Sequence, residues 1–213
     1  MAARLLTPRQ REILQLSLEP MGAPISFPRN AEIYGETEPV DYLYKVVSGA
    51  VRTYKVLIDG RRQIAAFYLP GDMFGLEPGE KHAFSAEAVT DAKVLVIKRS
   101  LLLALAAHDS QAARQLWTLA GRELQRAQDH VLLLARTAPE RVASFLLEMA
   151  DRIQGSDEVE LPMSRQDVAD YLGLTIETVS RMLTRFESAS AIALLTAKRI
   201  VLRNRAALRR LSA

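Results

Sequence analysis

The chain has 213 residues, of which 49% are hydrophobic and 25% charged, with a formal net charge of +3 at pH 7 and no cysteine. This length fits one large domain or two small ones. The absence of cysteine excludes disulfides, cysteine-ligated zinc or iron–sulfur sites, and thiol-based sensing. Neither a signal-like segment nor an apolar run of transmembrane length is visible, so we expect a soluble cytoplasmic protein that does not enter membranes.

The N-terminal half predicts a short helix followed by a small β-structure. Thr7 to Leu18 is amphipathic, with Pro8 in the first helical turn. From Ile25 to Lys98, short β-prone runs alternate with turn residues, and Asp59-Gly60 between two runs is a strong hairpin signal. The spacing favours an antiparallel barrel or jelly roll, that is, a β-roll. The predicted strands are Ala31–Tyr34, Tyr42–Ser48, Gly49–Leu57, Arg61–Tyr68, His82–Ala88 and Lys93–Lys98.

Beyond Arg99 the pattern becomes helical, with a short helix from Ser100 to Ala107 and a long one from about Ser110 to Arg136. Apolar residues of the long helix recur in alternating steps of four and three, which is the pattern of a coiled-coil seam and predicts a homodimer interface. The alternative is a long helix that lies on its own barrel, and one helix can do both. The predicted seam comprises Ala113, Trp117, Ala120, Leu124, Ala127, Val131 and Leu134, and the flanking face comprises Leu116, Leu119, Leu132 and Leu133.

Thr137-Ala138 is the predicted hinge to a C-terminal domain. Pro139 begins a helix that runs to Ile153, and Gln154–Glu160 is predicted to be a polar loop. The chain therefore divides into a β-roll domain with its N-terminal helix (1–109), a dimerisation helix (110–136) and a C-terminal domain (137–213). The fold class is α+β.

Residues 164–188 predict a helix-turn-helix, the pattern that places a helix in the DNA major groove. Ser164 and Asp167 have the spacing of a capping box, and Gly173 supplies the positive φ of a turn. Thr175 caps the second helix. The predicted apolar face of the second helix is Ile176, Val179, Met182, Leu183 and Phe186, and its polar face is Glu177, Thr178, Ser180, Arg181 and Arg185.

Two further features favour DNA binding over an ordinary helix pair packed in a core. The runs Ala191–Thr196 and Arg199–Arg203, turned at Ala197-Lys198, predict a hairpin wing, and Asn204 caps a last helix, Arg205–Leu211. The stretch from Leu161 to Ala213 contains nine Lys and Arg residues and four acidic residues, which gives a net charge of +5, whereas the remainder of the chain carries −2. A basic module of this kind is typical of nucleic-acid binding.

No pattern supports an enzyme, a metal site or a cofactor. The glycine-bearing segment Gly71–Glu77 follows a strand but lacks the lysine and the following helix of a phosphate-binding loop. His82, His108 and His130 are scattered, without a second ligand at helical or strand spacing. We therefore expect packing or surface histidines and no cofactor.

A β-roll, a long dimer helix and a winged helix-turn-helix together resemble the CRP/FNR superfamily of bacterial transcription regulators over nearly the whole chain. In its FNR-like branch the recognition helix carries Glu-x-x-Ser-Arg, which Glu177, Ser180 and Arg181 match. The stretch from Leu161 to Leu183 looks most like the FixK type, which regulates microaerobic, nitrogen-fixation and respiratory genes. The resemblance implies a homodimeric activator that binds palindromic TTGA-like half-sites and recruits RNA polymerase.

The same resemblance implies roles for individual residues. Arg181 would contact the guanine, Glu177 the cytosine paired with it, Ser180 a neighbouring base and Ile176 a thymine methyl. The residues expected to contact phosphates, which fix register without reading sequence, are Ser164, Arg165, Thr175, Thr178 and Arg185.

Two departures from the family bear on its effectors. Where cyclic-AMP-binding members carry an arginine that pairs with the phosphate, this chain has Phe84, followed by Ser85 and Ala86. The cysteines of oxygen-sensing members are also missing. Both agree with the FixK type, which has no known small-molecule effector. The alternatives are a regulator gated by haem or a nucleotide, and an interaction module that has lost DNA binding; the match at Glu177, Ser180 and Arg181 argues against the latter.

Overall fold

The computed structural model describes residues 21–153 and 157–212, and the predicted helix Thr7–Leu18 lies outside them. Eleven strands and six helices form within these ranges. None of the helices described there is long and apolar enough to cross a bilayer. The chain separates into two compact units. The first unit comprises Met1–Thr53 and Phe67–Gln125, and the second comprises Tyr54–Ala66 and Arg126–Ala213.

The β-structure consists of two antiparallel four-stranded sheets, with strand orders β1-β8-β3-β6 and β2-β7-β4-β5. Asp59 and Gly60 lie in the turn between β4 and β5, as predicted, with Gly60 at a φ of 80°. The strands are β1 (Gly22–Phe27), β2 (Glu32–Tyr34), β3 (Tyr42–Ser48), β4 (Val51–Val56), β5 (Arg62–Tyr68), β6 (Met73–Phe74), β7 (Ser85–Ala88) and β8 (Ala92–Lys98).

Within the β-roll, strands β1 and β6 were not predicted from the sequence, and the strand predicted over His82–Ala88 is shorter than expected. Strand β1 contains Pro24, which cannot donate a backbone hydrogen bond, and its only strand partner among the described residues is β8. Strand β6 is only two residues long and pairs with β3. The run predicted as a strand from His82 forms one only from Ser85 onward, because the His82 backbone bonds to Glu38 and Thr37 instead.

Helices α1 (Arg99–His108) and α2 (Ser110–Leu134) follow the strands. Helix α2 ends at Leu134 rather than at Arg136, because the amide groups of Ala135 and Arg136 turn to carbonyls three residues back. On its flanking face, Leu119 and Leu133 are buried as predicted, and Leu116 packs against a cluster that includes Leu119. Leu132 was also predicted to pack there, but it is 64% exposed.

The C-terminal part of the second unit contains four helices around one core. Helix α3 (Ala138–Arg152) begins at a capping box of Thr137 and Glu140, with Pro139 in its first turn. Helices α4 (Arg165–Leu172) and α5 (Ile176–Ser188) form the predicted helix pair, and α6 (Arg205–Leu211) is capped by Asn204 as predicted. The fully buried side chains include Phe145, Leu146, Met149, Met163, Leu172, Phe186, Ile192 and Ile200.

The wing is larger than the predicted hairpin. Strands β10 (Ile192–Leu194) and β11 (Arg199–Leu202) pair as expected, but β9 (Glu158–Glu160) adds a third strand along β11. The prediction of a polar loop over Gln154–Glu160 is therefore wrong for the last three residues. Val159 is fully buried between two exposed glutamates, and this single alternation is too short to be recognised as a strand from the sequence.

Candidate nucleic-acid interface

Helix α4 is fixed at both ends by local interactions. The Ser164 Oγ accepts a hydrogen bond from the Asp167 amide at 3.1 Å, and the Asp167 carboxylate accepts from the Ser164 amide at 3.0 Å, which completes the predicted capping box. At the other end, Gly173 has a φ of 60°, the left-handed conformation that ends the helix and starts the turn. Local sequence therefore sets both bounds of this helix.

Helix α5 has one buried and one accessible face, as the sequence predicts. Val179, Met182, Leu183 and Phe186 are all buried, and Ile176 is partly buried. On the other face, Glu177, Arg181 and Arg185 are exposed, whereas Thr178 and Ser180 are partly exposed. The Thr175 Oγ1 accepts from the Thr178 amide at 3.2 Å and so caps the helix. The polar face is the only face of α5 that another molecule can reach without unpacking the core.

Glu177 and Arg181 lie one turn apart at the start of this face and have complementary chemistry. Hydrogen bonds from the Glu177 amide and the Thr175 hydroxyl lower the pKa of the Glu177 carboxyl, so it is ionised and accepts hydrogen bonds. The Arg181 guanidinium makes a 3.4 Å contact with the Thr178 hydroxyl, and the residue is exposed. A charged acceptor thus stands beside a bidentate donor.

The residues predicted to contact phosphates differ in how firmly they are held. Arg165 reaches between the helices, with one terminal nitrogen 3.5 Å from the Ser180 hydroxyl and its Nε buried. The Ser164 hydroxyl donates to Asp167 at 2.8 Å, so a phosphate contact by Ser164 requires this hydroxyl to rotate. Arg185 is exposed near the end of α5.

Part of the positive charge near the wing is neutralised within the second unit. Arg199 pairs with Glu158 across two strands, and Arg205 pairs with Asp151 and Asp157 at 2.9 and 2.8 Å. In contrast, Arg203, Arg209 and Arg210 are exposed. The net charge of +5 counted along the sequence therefore overstates the positive charge that this surface presents.

Sequence reasoning missed a group of four side chains around α4. Arg62 and Gln63 come from the β4–β5 hairpin, His130 from α2 and Arg141 from α3, and each donates a hydrogen bond to α4 or the turn that follows it. We call these four residues the α4 clasp. No local pattern points to them, because Arg62 lies 105 positions from its partner Asp167.

The predicted dimer seam on α2 is mostly open in the single chain. Trp117 is 81% exposed, Leu124 61% and Val131 67%, while Ala120 and Ala127 are also exposed. The seam's ends, Ala113 and Leu134, are partly buried. A stripe of large apolar side chains in water is typical of a surface that another protein covers.

Polar groups in and next to the segment Phe84–Glu87 are bound within the chain. Arg52 forms an ion pair with Glu87 at 2.8 Å, and both side chains are largely buried. The Ser85 hydroxyl accepts a hydrogen bond from the Glu36 amide at 2.9 Å. Phe84, the residue before Ser85, is partly buried. No group of three metal-ligating side chains occurs in residues 21–153 and 157–212.

Two family models match the chain. Residues 24–109 match the cyclic nucleotide-binding domain, and residues 140–211 match the Crp-like helix-turn-helix domain. The nitrogen fixation regulation protein FixK of Azorhizobium caulinodans is 54% identical over 197 residues, 90% of this chain and 79% of that protein. FixK of Rhizobium meliloti is 42% identical over 99% of this chain and 98% of its own length.

The solved structures show the same similarity. FixK2 from Bradyrhizobium japonicum superposes with a TM-score of 0.87 at 53% sequence identity, covering 90% of this chain and 98% of that one. A β-roll followed by a winged helix-turn-helix defines a class of proteins, the DNA-binding transcription regulators. The relatives are named as regulators and not as enzymes. Within this class, the chain belongs to the CRP/FNR superfamily and is of the FixK type.

Proposed function

We propose that this regulator acts as a homodimeric activator, which binds palindromic TTGA-like half-sites, recruits RNA polymerase and needs no small-molecule effector. The observation that carries the proposal is the polar face of α5, where Glu177, Ser180 and Arg181 are accessible and the opposite face is buried. The names of the relatives support control of nitrogen-fixation genes. We include related microaerobic and respiratory genes in the proposal because the resemblance to the FixK type implies them.

In this proposal, base reading rests on the complementary pair at the start of α5. Arg181 donates to O6 and N7 of guanine, and the ionised Glu177 accepts from N4 of the paired cytosine. Ser180 contacts a neighbouring base, and Ile176 contacts a thymine methyl group. Phosphate contacts by Ser164, Arg165, Thr175, Thr178 and Arg185 hold the helix in register.

In this proposal, the two-fold symmetry of the dimer is the reason that the DNA site is a palindrome. Two copies of α2 pair along the seam from Ala113 to Leu134 and bury Trp117, Leu124 and Val131, which are more than half exposed in one chain. A two-fold axis then presents two α5 helices about one duplex turn apart, so the site has two inverted half-sites. The three parts of the chain, 1–109, 110–136 and 137–213, thus serve as β-roll, dimer helix and DNA-binding domain.

Effector-free action is supported by the environment of Phe84. A cyclic nucleotide brings a phosphate, and burial of a phosphate without a cationic partner is strongly unfavourable. Phenylalanine supplies no such partner, and Arg52 of strand β4, which neighbours β7, is already paired with Glu87 at 2.8 Å. The match of residues 24–109 to the cyclic nucleotide-binding model supports the alternative, a regulator gated by a nucleotide or by haem.

Selection of bound sequences from random duplexes, with no added ligand, tests the proposal most directly. We expect enrichment of an inverted repeat with a guanine in each half-site. Sedimentation of the complex should give two chains per duplex. Enrichment that appears only with a nucleotide, or an absorption band of bound haem in the purified protein, would instead support the gated alternative.

A further inference from the structure

The β4–β5 hairpin contributes a charged side chain to the helix-turn-helix. Arg62 donates from Nη2 to Asp167 at 2.7 Å and from Nε to Asp170 at 2.8 Å. The two carboxylates are only 6% and 12% exposed, and the Arg62 side chain is 26% exposed. Because the pairs are largely removed from water, their geometry is constrained much more than that of a surface ion pair.

Asp167 joins this contact to the start of α4. One of its oxygens accepts from Arg62, and the other accepts from the amide and hydroxyl of Ser164. A shift of Arg62 therefore disturbs the capping box at the N-terminus of α4. The hairpin thus touches the part of the helix that lies beside the proposed phosphate contacts Ser164 and Arg165.

The remaining members of the α4 clasp bind the C-terminal carbonyl groups of α4, which have no partner within the helix. Gln63 donates to the Asp170 carbonyl at 2.8 Å, and His130 lies 2.8 Å from the Tyr171 carbonyl. Arg141 donates to the Leu172 carbonyl at 2.8 Å. Three successive carbonyls of α4 are therefore held by side chains from three other elements.

Two of these contacts connect α4 to the end of the dimer helix. His130 belongs to the last turns of α2, and its ring stacks on Tyr171 with centroids 4.2 Å apart. Arg141 also donates to the Arg136 carbonyl, directly after α2, at 2.7 Å. Since α5 packs on α4, the position of α4 relative to α2 decides where each recognition helix lies with respect to the seam.

We propose that Arg62 and Gln63 are positioning residues, which press α4 against the end of the dimer helix and so set the half-site spacing that the dimer accepts. The inference rests on the proposed function, because it requires a dimer on a palindrome. Neither residue contacts DNA in this arrangement. Their effect therefore concerns the distance between half-sites and leaves the bases read within each half-site unchanged.

The test compares three duplexes: the palindrome selected by the wild-type protein, and the same palindrome with one base pair added or removed between the half-sites. One base pair changes the separation by about 3.4 Å and rotates the half-sites by roughly 36°. We expect Arg62→Gln to bind the selected palindrome roughly tenfold more weakly, a change of about 1.4 kcal/mol in binding free energy. Its preference for the selected spacing over the other two should shrink, while its choice of bases stays that of the wild type.

Arg61→Gln is the matched control, since it removes the same charge from the neighbouring position. The Arg61 side chain is 77% exposed and pairs with Asp59 within the hairpin turn. We expect it to bind all three duplexes like the wild type. The salt dependence separates positioning from phosphate contact: loss of a phosphate contact lowers the slope of log K against log salt by about one, and loss of a positioning residue leaves it unchanged.

The outcomes are distinct. Equal binding by Arg62→Gln and Arg61→Gln, or a salt slope reduced by about one in Arg62→Gln, overturns the inference and leaves the proposed function intact. If Arg62→Gln does not fold, Gln63→Ala, which changes no charge, is measured on the same three duplexes. A weaker preference for the selected spacing supports the inference, and the wild-type preference refutes it. A wild-type protein that selects no palindrome refutes the proposed function and this inference together.

Discussion

Two arginines of the second unit differ in exposure and in ion pairing, and this difference suits them to different roles. Arg181 is exposed on α5, and its one hydrogen-bond contact among the described residues is with the Thr178 hydroxyl at 3.4 Å. Arg62 lies between two largely buried carboxylates at 2.7 and 2.8 Å. A loosely held guanidinium can reorient toward a base, whereas one held by two buried charges cannot leave them without a large penalty. The first therefore suits recognition and the second suits positioning.

Arg181→Ala should cost about 1–3 kcal/mol of binding free energy on the preferred site and relax the choice at the guanine, because a bidentate contact to that base is lost. Arg185→Ala is the comparison, since it should weaken all sequences alike. Competition binding with duplexes changed at the guanine measures both effects. A uniform loss of affinity in Arg181→Ala would make Arg181 a phosphate contact.

His130 gives the fold a defined pH dependence. Burial lowers the pKa of its imidazole below the ordinary 6.5, because the cation is disfavoured away from water. Below about pH 6.5 the unfolded chain therefore binds a proton that the folded chain resists. The contribution of neutral His130 to the free energy of unfolding is fully present above this pH and is lost as the pH falls toward the pKa of the folded state. A pKa that is lower by one in the folded state corresponds to a loss of about 1.4 kcal/mol.

The variant His130→Gln isolates this effect, because glutamine can still donate to the Tyr171 carbonyl but does not titrate. Urea unfolding of both proteins at pH 7.5 and 5.5 gives the free energies. We expect the wild type to lose more stability than the variant between the two pH values. An equal loss in both proteins would mean that His130 has the same pKa in the folded and unfolded states.

At the scale of elements, α2 combines two faces in one helix. On the flanking face, Leu119 and Leu133 are only 7% and 8% exposed, so these side chains are already buried within the single chain. Trp117, Leu124 and Val131 remain open to solvent on the seam. Substitutions on the seam should therefore affect association with a second copy far more than the folding of one chain.

Leu124→Asp combined with Val131→Asp should convert the proposed dimer into monomers, because like charges would meet, unpaired and buried, across its two-fold axis. Sedimentation should show single chains, circular dichroism should retain the helical signal, and binding to the palindrome should be lost. The matched control is Gln125→Asp with Leu132→Asp, which adds the same charge one position along; Leu132 is 64% exposed. A double seam variant that remains dimeric would locate the interface elsewhere.

At the scale of the whole molecule, the question is whether the β-roll still serves as a sensor. The roll keeps the architecture of a cyclic nucleotide-binding domain over residues 24–109. Its Arg52 is neutralised by Glu87, and its Ser85 hydroxyl is bound by the Glu36 amide. These internal pairings support the part of our proposal in which the roll is a structural module.

Millimolar cyclic AMP should neither raise the melting temperature nor be needed for DNA binding and transcription in vitro. A ligand that binds the native state must stabilise it by mass action. Phe84 stands where a phosphate-pairing arginine is expected, and burial of a phosphate without a cationic partner is unfavourable. Differential scanning calorimetry with and without the nucleotide gives the answer, with adenosine as the uncharged comparison. A melting temperature that rises with cyclic AMP but not with adenosine would support the gated alternative.

Sequence patterns predicted the elements that depend on neighbours along the chain. The capping box of Ser164 and Asp167 was predicted from a spacing of three residues, and Gly173 from its conformational freedom. The buried face of α5 followed from its helical period. By contrast, β9 and β1 were missed, because one is three residues long and the other contains Pro24. Each is a strand through its pairing with a distant strand.

The sequence by itself determined the class of the protein and the face of α5 that another molecule can reach, because caps, turns and helical periods act over a few residues. Only the tertiary structure decided that Arg62 and Gln63 hold α4, since their partners lie 105 to 108 positions away. It also decided which leucines of α2 are covered, so that Leu132 is open and Leu133 buried. Such contacts depend on how folded elements meet, and local patterns carry no information about that.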